Sequence, residues 1–313
     1  MRKATRTRAA IVVAAVPGLL DRTAYPYRLP PAHAPLRVAF VGQRAIFEEC
    51  ALHAPAGGLL PTFVDFREGA DARELQAALR AAAPHAVVVF APEVVPPGAF
   101  ADLRAAVLGV LADHRPPPTA AEYDRILSPD PRAGDAVWRC APLPVDDRMY
   151  APVGAARRPP RACFLAASTT YRERFVIQAK HEYDVLHYAH GLWGDALREV
   201  LGKVDVAINV HVDEHLAFES RVPLHLAAGH LLLSEPLSPT HGLEPEIDFV
   251  PILRPDELLT VLGQLRWSPD LHDRVRLRGR AKAEDYRASR MWPRLVGDLL
   301  DDVAAFGTAR AVS

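Results

Sequence analysis

The segment FESRVPLHLAAGHLLLSEPLSPTHGLEPEIDF, residues 218–249, combines a helix, a buried strand and a polar turn in one run. Apolar residues recur at helical spacing up to Gly229, which is expected to end the helix. The apolar stretch 230–233 then predicts a short strand that leads into Ser234 and Glu235. Ligands of open parallel α/β sheets bind at the carboxyl ends of the strands, so this segment predicts a ligand site.

Composition limits the class of protein. The chain has 313 residues, 50% of them hydrophobic, and this length suits two domains. Lys plus Arg number 37 against 38 Asp plus Glu, so no charge excess favours nucleic acid or an anionic membrane as a partner. The cysteines, Cys50, Cys140 and Cys163, lack CxxC spacing. Their odd number favours a reducing compartment, and we expect a cytoplasmic protein.

Residues 1–35 form an N-terminal extension and linker ahead of any α/β pattern. Residues 1–20, MRKATRTRAAIVVAAVPGLL, have the basic head and apolar centre of an export signal. The apolar run is too short to span a bilayer, and no clear cleavage site follows it. The preferred alternative is an extended segment that pairs at a sheet edge and continues into the proline-rich stretch 26–35.

Residues 36–150 alternate between strand and helix patterns. Strands are expected at 36–42, 59–66 and in AVVVFAPE, with helices at 44–53 and 71–83. Asp71 is the expected N-cap of the second helix. Continuous apolar strands in this order imply a parallel sheet that is covered on both faces. We therefore predict a doubly wound, Rossmann-like first domain.

Residues 151–313 start the α/β pattern again after the linker VGAARRPP. The pattern predicts a second Rossmann-like domain, which faces the first across a cleft. Helices are expected at 255–265, 269–286 and 289–306, with Ser268 as the N-cap of the middle one. The basic run RVRLRGRAK within that helix has apolar residues at helical spacing. We expect it to be a solvated helix face rather than a phosphate or RNA site.

Several fragments together resemble glycosyltransferases of the GT-B fold, and among them the spore-maturation-type and actinobacterial single-chain group. The fragments are PLPVDDRMYAP (142–152), YRERF (171–175), VDVAINVH (204–211), FESRVPLHLAAGHLLLSEP (218–236) and IDFVPILRPDELLTVLGQL (247–265). This resemblance covers most of the chain beyond residue 36. It implies a nucleotide-sugar site in the second domain, an acceptor site in the first, and a C-terminal helix that reaches back to the first domain.

A nucleotide-sugar site must hold a diphosphate whose charge grows as the glycosidic bond breaks. Hydroxyls, helix N-termini and cations stabilise such charge. Ser168 and Thr169 lie between a strand and a helix whose first turn carries Arg172 and Arg174. These four residues are candidates to bracket phosphate oxygens. The alternative is an ordinary helix cap with arginines that face solvent.

A second group of donor-site candidates is Glu219, Arg221 and Gly229. The resemblance implies a glutamate one turn before the Ala-Gly pair, where a carboxylate accepts hydrogen bonds from two ribose hydroxyls. Leu224 occupies that position here, and Glu219 is the nearest replacement. The alternative for Glu219 and Arg221 is a salt bridge at the start of a helix, and for His225 a packing role.

The loop 234–242 supplies the third group. Glu235 and Ser238 flank prolines that stiffen the turn, and His241 precedes Gly242, which permits close approach of the backbone to a ligand. This combination suits a sugar or phosphate site. The alternative is a proline-rich connecting loop.

The opposite wall of the cleft is expected to come from the first domain. Gly42, Gln43 and Arg44 follow its first strand, and Glu93 follows its third. Glu93 is our candidate base for the proton of the acceptor hydroxyl, since an inverting transfer needs a carboxylate or histidine there. His225 is the next candidate for this role.

Other chemistries find less support in the sequence. It contains neither GxGxxG nor GxxxxGK[ST], and HVDEH (211–215) follows a strand instead of lying on a zinc-protease helix. Asp146 and Asp147 resemble a metal-binding acidic pair in sequence, but they lie in the expected hinge between the domains, near residues 145–160. The resemblance implies no metal and no cofactor.

The sequence therefore predicts a glycosyltransferase that moves a sugar from a nucleotide-diphosphate donor to an unknown small-molecule or glycan acceptor. We expect no nucleic-acid partner and no stable membrane span. The alternative is a non-catalytic binding or scaffold protein that keeps the fold with a degenerate donor site.

Overall fold

The computed structural model describes residue 27 and residues 34–111, 120–134 and 136–308. The sequence interpretations of residues 1–26, as an export signal or an edge strand, lie outside these ranges. Among the helices in these ranges, none combines the length and the hydrophobicity that a transmembrane span requires.

The first domain has a six-stranded parallel sheet with the strand order β2-β1-β3-β4-β5-β6. Its strands are β1 (Leu36–Gly42), β2 (Leu59–Asp65), β3 (Ala86–Phe90), β4 (Ala106–Val110), β5 (Arg125–Ser128) and β6 (Arg139–Cys140). Its helices are α1 (Arg44–Cys50) and α2 (Ala72–Ala82). As predicted, the Asp71 carboxylate caps α2 by accepting the backbone N–H of Arg73 at 2.8 Å.

The second domain has a five-stranded parallel sheet with the order β11-β10-β9-β7-β8. Its strands are β7 (Ala162–Leu165), β8 (Leu186–Tyr188), β9 (Val206–Asn209), β10 (Leu231–Ser234) and β11 (Val250–Pro251). Its helices are α3 (Thr170–Tyr183), α4 (Gly194–Leu201), α5 (Arg221–Ala227), α6 (Pro255–Trp267) and α7 (Asp273–Lys282).

Burial explains why these segments are strands. Every residue of β3, β4, β9 and β10 is buried, as expected where helices cover both faces of a parallel sheet. The predicted fold class, two doubly wound α/β domains, is confirmed. In each sheet the strand order reverses once, between β1 and β3 and between β7 and β9. At such a point the loops diverge and leave a crevice at the carboxyl edge.

The last helix, α8 (Ala288–Phe306), returns to the first domain. Its Trp292 is fully buried against Phe40 and Phe90, with ring centroids 5.3 and 6.0 Å away. The Trp292 indole N–H donates to the carbonyl of Cys50 at 2.7 Å. One apolar cluster therefore runs from the first sheet through α8 into α5 of the second domain.

Two arginines of α7 hold the chain segment that links the two sheets. Arg276 is buried, and its Nε donates to the carbonyl of Gly229 at 2.6 Å and its Nη1 to that of Gly154 at 3.1 Å. Arg280 donates to the carbonyl of Ala151 at 2.7 Å. The prediction of a solvated face was therefore wrong for these two arginines, since they bind backbone carbonyls of the linker.

One further local prediction, the N-cap of the middle C-terminal helix, was wrong. Ser268 is the C-cap of α6, with its N–H bonded to the carbonyl of Gln264 at 2.8 Å, and α7 begins only at Asp273. The Asp147 carboxylate caps α8, since it accepts the N–H of Ser289 at 3.0 Å and its hydroxyl at 2.6 Å. Asp147 is thus occupied at the domain junction.

Candidate functional site

A cavity of about 190 Å³ lies between the two domains, at the carboxyl edge of the second sheet. The first domain contributes Glu49 from α1. The second contributes the ends of β7 and β8, the loop after β8, Leu197 of α4 and the start of α5. The lining residues are Glu49, Leu165, Ala166, Tyr188, Ala189, His190, Leu192, Leu197, Ser220, Arg221 and Leu224. The cavity is therefore walled by both domains, as expected for a cleft site.

Glu219 organises the floor beside this cavity. Its Oε1 accepts a hydrogen bond from Arg172 Nη2 at 3.1 Å, and its Oε2 accepts one from Arg221 Nη2 at 2.7 Å. Arg221 Nη1 also donates to the carbonyl of Leu165 at 2.9 Å. One carboxylate thus joins the start of α5 to the carboxyl end of β7, and this fixes the Arg221 side chain at the cavity wall.

The Arg172 side chain makes its hydrogen bonds within the protein and is not open to a ligand. It is buried, and besides Glu219 it donates from Nε to the carbonyl of Val210 at 3.0 Å and from Nη1 to that of Ala167 at 3.1 Å. Burial, helped by the charge of Arg221, lowers the pKa of Arg172. The guanidinium of Arg172 links the loops after β7 and β9. It is therefore not positioned to contact a phosphate directly.

The other candidates at the start of α3 differ in exposure and in hydrogen bonding. Thr169 caps α3, accepting the N–H of Arg172 at 3.2 Å and donating its hydroxyl to the carbonyl of Val212 at 3.0 Å. Ser168 and Arg174 are exposed. Within the described residues, Arg174 has no ion pair. It is therefore the cation near the start of α3 that is available to an anionic ligand.

Glu235 is a buried anchor for the neighbouring loops. Its carboxylate accepts the Tyr171 hydroxyl at 2.5 Å and the N–H of His211 at 2.7 Å. Burial and the Glu235 charge raise the pKa of Tyr171. Glu235 therefore joins α3 to the carboxyl ends of β9 and β10.

The loop that contains Ser238, His241 and Gly242 crosses to the first domain. Both His241 and Gly242 are in the left-handed region, with φ of 47° and 87°. His241 Nε2 donates to the carbonyl of Pro129 at 2.8 Å, so the loop bridges the end of β5. Burial lowers the pKa of His241, against the opposing effects of this carbonyl and of Asp130. Ser238 is exposed, and His241 thus connects the domains.

His225 does not reach the cleft, which corrects its assignment as a candidate catalytic residue. It has no exposed surface, and its Nδ1 lies 3.1 Å from Nδ1 of His230, whose Nε2 lies 2.9 Å from the carbonyl of Leu201. Because a carbonyl only accepts, His230 carries its proton on Nε2 and His225 carries its proton on Nδ1. Burial lowers the pKa of both rings, to about 4 for His230.

A buried thiol lies beside this histidine pair. Potential ligand atoms of Cys163, His225 and His230 lie within 4.8 Å of one another. Burial raises the pKa of Cys163 to about 12, so the thiol is neutral. The charges of Arg221 and Arg276 lower the pKa values of His225 and His230, and a positive potential also opposes a bound cation. We assign the cluster to core packing.

The first-domain wall is more open. Gly42 has a φ of 146°, and a Cβ there would lie 3.0 Å from Cβ of Phe90, so this turn requires glycine. Gln43 precedes α1, and Arg44 pairs with Glu48 at 3.2 Å. Glu93 is exposed in a 3-10 turn after β3 and does not line the cavity between the domains.

Glu49 is the carboxylate of the cavity, and the sequence analysis did not identify it as a candidate. Burial raises the pKa of its carboxyl to about 7, and the charge of Arg221 only partly opposes this. Within the described residues, its side chain makes no hydrogen bond or ion pair. The sequence carries no local signal for this role, because residues of the second domain complete the surroundings of Glu49.

Comparison with known proteins places the fold. No family model matches the chain, and no curated protein matches it by sequence. HepE from Anabaena, solved with UDP-glucose, matches 85% of this chain and 100% of its own at 8% identity and a TM-score of 0.55. AviGT4, a glycosyltransferase involved in avilamycin A biosynthesis, matches 88% of this chain and 99% of its own at 12% identity and a TM-score of 0.56. An alpha1,3-fucosyltransferase covers 92% and 96%, at 9% identity and a TM-score of 0.52. The chain therefore has the two-domain GT-B fold.

Proposed function

We propose that this chain is a glycosyltransferase of the spore-maturation type that moves a sugar from a nucleotide-diphosphate donor to a small-molecule or glycan acceptor. The observation that carries the proposal is the cavity between the two domains, in which Glu49 of the first domain faces Arg221 of the second. The fold that the chain shares with HepE, which was solved with UDP-glucose, supports this proposal.

The donor is assigned to the second domain, residues 151–313, and the acceptor to residues 36–150 and the cavity that they form with the second domain. We place the diphosphate at the start of α3, beside the crevice between β7 and β9. Backbone N–H groups at a helix N-terminus stabilise anions. Ser168 and Arg174 are exposed there, and Thr169 and Arg172 hold the turn in shape. The exposed Ser238 is assigned to the sugar side of the donor.

The two glycine candidates of the donor site, Gly229 and Gly242, contribute through their backbone conformation. Gly229 ends α5 with a φ of 78°, and a Cβ there would lie 3.4 Å from the carbonyl oxygen of Pro152 in the linker. Gly242 permits the loop to turn after His241. On the acceptor side, Gln43 and Arg44 face the cleft.

We propose that the transferase acts in the cytoplasm without a metal, so a chelator should leave turnover unchanged.

Thermal-shift measurements with UDP-glucose, GDP-mannose and TDP-glucose test the donor class. Selective stabilisation by one of them is expected. Arg174→Ala should then weaken binding of that donor by about 10- to 150-fold, the worth of one charge-assisted hydrogen bond. Arg198→Ala is the matched control, because Arg198 is exposed on α4 and pairs with Asp195 one turn away. Equal binding by both variants would remove Arg174 from the donor site.

A non-catalytic binding or scaffold protein is the second candidate. Leu224 is buried where the ribose carboxylate is expected, and both oxygens of Glu219 are held by arginines. The turn of α5 at Leu224 therefore provides no carboxylate for the ribose hydroxyls. Absence of stabilisation by every nucleotide sugar in the panel, with the protein folded, would favour this function.

A further inference from the structure

Glu48 and Glu49 are adjacent on α1 but lie in opposite environments. Although burial acts to raise it, the hydrogen bond and charge of Arg148 hold the pKa of Glu48 below its usual value. Arg148 Nη2 lies 2.6 Å from its Oε2. Glu49 has no such partner among the described residues, and burial raises the pKa of its carboxyl to about 7. Adjacent carboxyls with separated pKa values indicate a division between a structural and a chemical role.

We propose that the cavity between the domains holds the acceptor hydroxyl and that Glu49 is the base that takes its proton. This proposal rests on the proposed glycosyltransferase function. It replaces Glu93, the residue favoured by the sequence, because Glu49 lines the cavity that both domains form and Glu93 does not.

The step is a direct displacement. The Glu49 carboxylate accepts the proton of the acceptor O–H, and the oxygen forms a bond to the anomeric carbon of the donor. The bond from that carbon to the nucleoside diphosphate breaks, and its electron pair stays on the diphosphate oxygen. The proton leaves Glu49 to solvent after the products depart, so the enzyme returns to its starting state.

The size of the cavity limits what it holds. The cavity has a volume of about 190 Å³. Typical small-molecule sites have about 300 to 1,000 Å³. The cavity therefore accommodates one hydroxylated ring or a small polyol rather than a whole nucleotide sugar. The acceptor's reacting unit fits it, while the nucleotide lies outside, along the start of α3.

The groups around Glu49 define the expected pH dependence. Arg221 and Ser220 face it from α5, Tyr188 and His190 from the end of β8, and Glu48 precedes it on α1. Of these, the charge of Arg221 opposes protonation of Glu49, and it does so most strongly when water is excluded from the cavity. A base must be deprotonated, so turnover should rise as pH increases through about 7.

The test uses the full chain, with the nucleotide sugar of the panel that stabilises it, and measures release of nucleoside diphosphate with water or glycerol as the acceptor. Glu49→Gln should keep donor affinity and melting temperature but lower release by about 10²- to 10⁴-fold. It should also lose the rise near pH 7, whereas His190→Gln should keep it. Glu74→Gln, on an exposed turn of α2, is the matched control.

The outcomes separate the two proposals. If no donor binds to wild type, the glycosyltransferase function falls and Glu49 with it. Release by Glu49→Gln within threefold of wild type, with its pH dependence intact, would overturn the Glu49 assignment alone. A loss in Glu93→Gln instead of Glu49→Gln would return the role to Glu93. Donor binding without any release by wild type would also count against Glu49 as a base.

Discussion

Replacing Glu219 with Gln should destabilise the second domain, because Glu219 is the shared partner of two arginines. Glutamine keeps one acceptor oxygen but places an amide N–H₂ against the other guanidinium. At least one charge-assisted hydrogen bond is lost, worth about 1.5 to 3 kcal/mol. The side chains of Arg172 and Glu219 are only 5% and 19% exposed, so solvent compensates little. We expect a loss of about 3 kcal/mol, near the lower end for breaking a buried ion pair.

Urea unfolding at pH 7.5 measures this loss, with the midpoint decreasing and the slope m unchanged. Glu182→Gln is the control, since Glu182 is an exposed residue of α3 that accepts a surface hydrogen bond from Gln178. Its unfolding free energy should stay within about 0.5 kcal/mol of wild type. If Glu219→Gln loses less than about 1 kcal/mol, or no more than the control, the double arginine contact is not a stabilising element of the site.

Two further predictions concern stability. The folded pKa of His230 lies near 4, below the unfolded value of about 6.5, so its contribution is constant above pH 6.5 and is lost as pH falls towards 4. The free energy of unfolding should therefore be about 2 kcal/mol lower at pH 5 than at pH 7.5, as measured by urea unfolding at both pH values. An equal loss between these pH values in His230→Gln would contradict this prediction. Gly279→Ala should destabilise the fold, because the new Cβ would meet the carbonyl oxygen of Asp248 at 2.4 Å, whereas Gly297→Ala meets nothing within 4 Å and should raise stability by about 0.5 to 1 kcal/mol. Melting temperatures of this matched pair of helical glycines that move in the same direction would refute the packing argument.

The order of strands and helices was predictable because burial on both faces leaves a strong signal. AVVVF of β3 and LLLS of β10 are apolar runs bounded by polar or turn residues, and their burial is complete. Asp71 was found for a local reason, since a capping side chain acts within its own turn. The strand β4 was missed, because its apolar run continues from a short helix-like stretch, LRAAVLGVL, that has no turn residue to mark its start.

The roles of the arginines were not predictable, because their acceptors come from distant segments. Arg276 lies at a position that periodicity alone makes an exposed charge, yet its partner Gly154 is 122 residues away. Arg172 likewise binds the carbonyl of Val210, which only the sheet order brings close. Glu49 shows the same limit: its chemistry depends on the second domain covering α1, and no local pattern records that contact.

The contacts that hold the domains together therefore bear on the chemistry of the site. Glu49 and Arg221 belong to different domains, so their separation is fixed by the junction rather than by either sheet. The junction is built from Asp147 with Ser289, His241 with Pro129, and α8 on the first sheet. A shift of about 1 Å between reacting groups is enough to reduce a rate about 10²-fold. Substitutions at the junction, although remote from the donor, should consequently lower turnover more than they lower donor affinity.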